Sequence, residues 1–216
     1  MSVVSLRNIV VLLGQFPALS GATLEVQAGE SVLLQGPNGA GKSTLLRLCA
    51  GLQRVERGEG SILGHDLHHE RRIIRRRVGL VGHRTMLYDD LTTGENLRFW
   101  ARAVRATPEE LDRAIERMQI DRRLMDVPTR QLSAGQRRRT ALAVAAARRP
   151  ELWLLDEPHA GLDQAGRDIV DSLITDATDA GATVLVASHE LDRVRPVVDR
   201  QVTVAGGLIL EGADAV

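Results

Sequence analysis

One short stretch constrains this chain more than any other: Gly36, Pro37, Asn38, Gly39, Ala40, Gly41, Lys42 and Ser43, followed by Thr44. It fits the pattern G-x-x-x-x-G-K-[ST]. It lies between Ser31–Gln35, an apolar run that reads as a strand, and residues 42–50, which read as a helix closed by Gly51. In that setting the glycines let backbone N–H groups turn inward around phosphate oxygens. The helix N-terminus adds its partial positive charge. Lys42 then reaches the β- and γ-phosphates of a nucleotide, and the Ser43 hydroxyl is placed to ligate Mg²⁺. A glycine-rich turn that matches by chance is the alternative, and the flanking strand and helix argue against it.

A second stretch, residues 151–157, reads Glu-Leu-Trp-Leu-Leu-Asp-Glu, an apolar strand ending in two carboxylates. Side chains alternate across a strand, so Asp156 and Glu157 need not share a role. Asp156 suits the Mg²⁺ shell. Glu157, one step on, suits a base or positioner for an attacking water.

The remaining elements follow from periodicity. Residues 3–11 and 22–26 read as strands, and a turn at residues 28–30 leads from the second into Ser31–Gln35. In the middle, residues 95–104 place Leu97, Trp100, Ala101 and Val104 on one helical face. Thr107-Pro108-Glu109-Glu110 opens a second helix as a capping box, with Leu111, Ala114, Ile115 and Met118 inward. A third helix spans residues 134–148. With no strand between them, these three form a helical subdomain, about residues 84–150. Strands and helices then alternate again: strand 152–155, helix 164–177, strand Thr183–Ala187, a short helix over 191–197, and a hairpin of 202–204 with 208–211 around Gly206-Gly207. The expected fold is α/β: a phosphate-loop NTPase core with a mainly parallel sheet, an antiparallel β subdomain and the inserted helical subdomain, all one domain over residues 1–216.

Lys+Arg and Asp+Glu balance at 28 each, which gives no support for a nucleic-acid partner held by bulk charge. Apolar runs are far shorter than the roughly 20 residues that span a bilayer, and no signal peptide is read at the start. The single cysteine, Cys49, excludes an internal disulfide framework. Cytoplasmic residence is the expectation, with any membrane role coming through a partner.

A third motif narrows the reading: Leu132-Ser133-Ala134-Gly135-Gln136, followed by Arg137, Arg138 and Arg139 and shortly before the acidic strand. Alone it is a capped helix start. Beside the other motifs it resembles the signature of ATP-binding cassette proteins. Gly161-Leu162-Asp163 and Ser188-His189-Glu190 continue that family's order, so the resemblance covers nearly the whole chain. It implies an ATPase that binds ATP with Mg²⁺ and works as a head-to-tail homodimer or heterodimer. Ser133, Gly135 and Gln136 of one subunit would close over ATP on the other. It implies that His189 contacts the γ-phosphate, that Asp163 links the two sites, and that Lys42, Glu157 and His189 form the catalytic set. Transmembrane permease subunits are the implied partners, with this chain peripheral on the inner face of the membrane. A structural histidine is the alternative for His189, and a helix N-cap for Asp163.

The chain departs from the family in three places. His83 stands where a Gln usually contacts Mg²⁺ and senses the membrane partner. Leu13 stands where an aromatic residue usually stacks on adenine, with Phe16 nearby but out of step. Ala134 replaces a Gly of the signature. The stretches Gly82-His83, Leu87-Tyr88, Leu91 to Phe99 and Leu132 to Arg139, with Trp153, are similar to the ATPase subunit of the haem exporter of cytochrome c maturation. Asp156 to Asp163 is closer to general efflux ATPases. A drug or lipid efflux ATPase and a soluble ATPase of iron–sulfur assembly stay open as alternatives.

His65, His68 and His69 with Asp66 and Glu70 read as a solvated loop rather than a metal site. The run Arg71, Arg72, Arg75, Arg76 and Arg77 reads as a solvated helix face, and Cys49 as core.

Overall fold

The computed structural model describes residues 1–210. Two sheets organise them. The first is antiparallel: β1 (Ser2–Leu13), β2 (Phe16–Gln27), β4 (Arg57–Ile62) and β5 (His65–Asp66), in the order β2-β1-β4-β5. The second runs β10-β9-β3-β8-β7-β6, from β3 (Ser31–Gln35), β6 (Val78–Val81), β7 (Leu152–Asp156), β8 (Thr183–Ala187), β9 (Arg200–Ala205) and β10 (Leu208–Leu210). Its five strands from β9 to β6 are parallel, and β10 is antiparallel to β9.

The parallel strands are apolar without a break because both faces are covered. Alternate residues go to opposite sides. Val32, Leu34, Leu152, Leu154 and Leu185 join a core with α1 (Lys42–Cys49) and the first sheet. Leu33, Trp153, Leu155, Val184 and Val186 join a second core with α5 (Ala134–Ala147) and α6 (Gln164–Asp179). Each fully buried side chain of this size contributes about 1.5–3 kcal/mol. Cys49 lies in the first core, and burial pushes its thiol up to about 12.

Between β6 and β7 the chain is helical, with α3 (Thr93–Val104), α4 (Pro108–Arg117), two 3₁₀ turns (Arg122–Leu124 and Thr129–Gln131) and α5. Three capping boxes open the three α-helices, at Thr92 with Glu95, Thr107 with Glu110, and Ser133 with Gln136. The buried Asn96 side chain stitches this region together. It accepts from Tyr88 N–H and donates to the Tyr88 carbonyl and to Thr129 Oγ1.

Several boundaries differ from the sequence expectation. The second strand begins at Phe16 rather than residue 22, because pairing with β1 carries it past Pro17. Strand β4 and strand β5 were not anticipated as elements, whereas the arginine run read as a helix face does form α2 (Arg71–Arg77); His65 and Asp66 belong to a strand, not to a solvated loop. The expected helix over 191–197 divides into α7 (Leu191–Val194) and a 3₁₀ turn, Arg195–Val197, where Pro196 lacks an N–H. Of the final hairpin, Glu211 lies outside the described residues.

Candidate active site

The carboxyl ends of β3, β8 and β7 lie side by side and carry the phosphate loop, Ser188-His189 and the acidic pair. Such ends are where open α/β sheets hold ligands. The loop is held by Gly207 N–H, which donates to the Ala40 carbonyl at 3.0 Å. Gly41 caps α1 at φ 112°, and a Cβ there would lie 2.6 Å from the Ala18 carbonyl oxygen, so β2 approaches too closely for any side chain. The buried Lys42 ammonium donates to the Gly36 and Pro37 carbonyls at 2.6 and 3.0 Å. Its charge therefore sits inside the loop, where phosphate oxygens would be received.

Asp156 ends β7 and is buried. Glu157 then turns out of the strand at φ 49°, a left-handed conformation for a non-glycine residue, held by its N–H donating to the Ala187 carbonyl at 2.8 Å. This turn, rather than simple strand alternation, separates the two carboxylates. Glu157 Oε1 lies 3.5 Å from His189 Nε2, and Glu157 Oε2 accepts from the His189 backbone N–H at 3.3 Å. His189 Nε2 is also 2.7 Å from Asn38 Oδ1. Three segments expected to meet, the loop around Asn38, the acidic pair and the loop after β8, thus converge.

Mg²⁺ takes oxygen ligands and in nucleotide sites is held jointly with phosphates. Ser43 and Asp156 supply a hydroxyl and a carboxylate on neighbouring elements of this end of the sheet, which fits that donor set. Among the described residues no group of three or more His, Cys, Asp or Glu is arranged to hold a metal, the His65–Glu70 cluster included. His65 there bonds to Glu70 and to Arg77 instead.

At the start of α5, Ser133 Oγ accepts from the Gln136 N–H at 3.2 Å, and Gln136 Oε1 accepts from the Ser133 N–H at 2.9 Å. The capped-helix geometry and an exposed serine hydroxyl coexist. Gly135 packs against the loop that carries Gly161: a Cβ on it would be 2.9 Å from the Gly161 carbonyl oxygen. Ser133, Gly135, Gln136, Arg139, Gly161 and Asp163 line one cleft of about 370 Å³. Asp163 caps α6 by accepting from the Gly166 N–H at 2.9 Å and pairs with Arg139 at 2.9 Å. These contacts, the Gly166 amide first, hold its carboxyl below the usual range.

His83 is exposed and lines a neighbouring cleft of about 510 Å³ with Met86, Leu87, Ala134, Arg137 and Gly161. Leu13 and Phe16 pair across the β1–β2 hairpin and are both exposed, so they are in register with each other. Arg138 was not anticipated. It is 4% exposed, and Nη1 donates to the Gly82 carbonyl at 2.7 Å. Burial lowers the pKa of its guanidinium, and the charges of Asp156 and Glu157 oppose that shift. In sequence it is one of three consecutive arginines, and only packing distinguishes it.

A family model described as ABC transporter matches residues 19–160. The cytochrome c biogenesis ATP-binding export protein CcmA of Hyphomonas neptunium is 37% identical over 186 residues, covering 86% of this chain and 89% of that protein. The cobalt import ATP-binding protein CbiO of Rhodobacter capsulatus is 39% identical over 214 residues, covering 94% and 75%. A solved dimeric ATP-binding cassette in a post-hydrolysis state, bound to ADP and Pi, superposes with a TM-score of 0.87 at 27% identity, covering 96% of this chain and 97% of that one.

Proposed function

The chain belongs to the ABC transporter family and is an ATPase subunit, and from that premise we propose that it drives export of haem for cytochrome c biogenesis through separate membrane-spanning permease subunits. The convergence of Asn38, Glu157 and His189 at the phosphate loop is the observation that carries the ATP-driven part of this reading. The haem part is supported by the likeness to CcmA over most of both chains.

In the proposed mechanism the loop from Gly36 through Gly39 and Gly41 to Thr44 wraps the phosphates of ATP, and Lys42 leaves the loop carbonyls to meet them. Ser43 and Asp156 would hold Mg²⁺, which would supply charge neutralisation at the phosphates. Glu157 orients water for in-line attack on the γ-phosphorus, and His189 donates from Nε2 to the developing charge. A second cassette, identical or related, presents Ser133, Gly135 and Gln136 over the nucleotide, with Asp163 linking the sites. ATP thereby favours a closed dimer, hydrolysis favours an open one, and the population shift works the permease.

The permease is proposed to dock beside His83. Met86 and Leu87 line the His83 cleft, and the next residue, Tyr88, clusters with Phe99 and Trp100, three of the five aromatic residues in the chain, with ring centroids 5.1–6.0 Å apart. Tyr88 and Phe99 stay 47% and 44% exposed and Met86 70%, an apolar patch of the kind that interfaces cover. Among the described residues no helix is long and apolar enough to cross a membrane. We propose that the chain works on the inner membrane face through these permease partners, without a nucleic-acid partner.

Gentle purification from native membranes tests this. Co-recovery of polytopic subunits together with haem-handling proteins supports haem export. Polytopic subunits of a cobalt importer would favour the second reading suggested by the CbiO likeness, and recovery with soluble partners alone would overturn transport.

A further inference from the structure

The structure places an unexplained polar residue two positions beyond Glu157. His159 is 1% exposed. Its Nε2 lies 2.9 Å from Asp171 Oδ1 on α6, and its Nδ1 is buried with no hydrogen-bond partner among the described residues. That orphan atom fixes the tautomer. A proton on Nδ1 would be a buried donor with nothing to receive it, so the proton sits on Nε2 and is donated to Asp171. An apolar side chain of similar size would fill the same space without leaving an unmet acceptor, so packing alone does not call for a histidine here.

The bond continues. Asp171 Oδ2 is 2.6 Å from Arg193 Nη2, on α7, and Arg193 also pairs with Asp168 one turn back on α6. Glu190, directly after His189, pairs with Arg167 at 3.3 Å, again on α6. The face of α6 that carries Arg167, Asp168 and Asp171 therefore holds two loops at once, the one after Glu157 and the one after His189. The first needs holding, because Glu157 sits at φ 49° and such a conformation persists only where its surroundings enforce it. The same helix begins at Asp163, so the loop from Glu157 to Asp163 is anchored in its middle by His159 and at its end by the helix cap.

We propose that His159 is a positioning residue for ATP hydrolysis, fixing Glu157 relative to His189 through Asp171 and Arg193. It touches neither nucleotide nor water in this role. The groups that face it are Asp171, Glu190 and Arg193. The inference rests on the roles proposed above for Glu157 and His189.

The test compares His159→Gln, which keeps an N–H donor for Asp171, with His159→Leu, which has none. ATP affinity, by fluorescent-nucleotide displacement, is expected within about twofold of the parent for both, while kcat falls about tenfold or more for the leucine variant alone. A parental kcat in His159→Leu, or an equal fall in His159→Gln, overturns the proposal. If the leucine variant does not fold, Asp171→Asn replaces it: that variant keeps an oxygen for His159 but releases Arg193. It is expected to lose kcat at unchanged ATP affinity, and a parental kcat would again overturn the proposal. Glu157→Gln is assayed alongside. If it hydrolyses ATP at the parental rate, the role of Glu157 fails and takes this inference with it. If it is stalled while His159→Leu is not, only the role of His159 fails.

Discussion

His189 Nε2 lies 2.7 Å from Asn38 Oδ1, so one hydrogen bond latches the loop after β8 to the phosphate loop. The same N–H is the donor proposed to meet the γ-phosphate, which would compete with Asn38 for it. His189→Ala is expected to lower kcat about 10²-fold, the scale of losing one transition-state donor. Asn38→Ala leaves the imidazole and the His189 backbone bond to Glu157 in place and is expected to cost less than about tenfold. Steady-state ATPase assays on the two purified variants check the order. The reverse order would make the latch, not the imidazole, the important element.

Glu157→Gln removes the base while keeping the side chain's size. Hydrolysis is expected to fall by about 10²–10⁴-fold with ATP binding retained, and a closed dimer to accumulate with ATP. Turnover measurements and size-exclusion chromatography with and without ATP report both effects. Unchanged turnover would falsify the role given to Glu157.

Ser133 and Thr107 cap their helices by the same geometry, but only Ser133 lies on the cleft shared with Gly135 and Asp163. Each substitution to Ala is expected to cost about 1 kcal/mol of stability. Only Ser133→Ala should also depress ATPase turnover. Equal turnover in the two variants would reduce Ser133 to a helix cap.

Gly135→Ala places a methyl group 2.9 Å from the Gly161 carbonyl oxygen, a backbone atom with little freedom to withdraw. The expected loss is about 1–3 kcal/mol. For a chain of this length that is a fall in Tm of about 2–4 °C per kcal/mol. A thermal melt equal to the parent's would show that the α5 start and the 161 loop separate readily.

Burial lowers the pKa of His159, with the Asp171 hydrogen bond opposing that shift in part. The unfolded chain therefore binds this proton at higher pH than the folded chain does. The stability tied to His159 is complete above the unfolded value of about 6.5 and is lost as pH falls below it toward the folded value. Urea titrations between about pH 5 and 7 should show less of this slope in His159→Gln. An identical slope in the variant would assign the pH dependence to other groups.

Much of this was legible before any coordinates. Local rules identify the phosphate loop because a strand, a glycine turn and a helix occur in sequence. The capping box at Thr107 is equally local, read from a hydroxyl residue with Glu three positions later, and the structure shows the same pattern at Thr92 and Ser133. The strands of the parallel sheet announce themselves as short apolar runs because both faces are buried. Strand β4 did not, since Arg57–Ile62 holds two glycines and shows no clean alternation. It is a strand because β1 pairs with it, from Val4 opposite Ile62 to Val10 opposite Arg57.

The proposed reacting groups and their order along the chain were thus read from the sequence, through local patterns. Only the tertiary structure decided which of them meet. It latched His189 to Asn38, 151 positions away. It buried Arg138 against Gly82 while leaving Arg137 and Arg139 to pair with Asp89 and Asp163. It also turned His159 into a hub between two loops. Periodicity reports which face of an element is apolar. Which polar side chain lies beneath a neighbouring loop depends on packing between elements distant in sequence, and no local pattern records it.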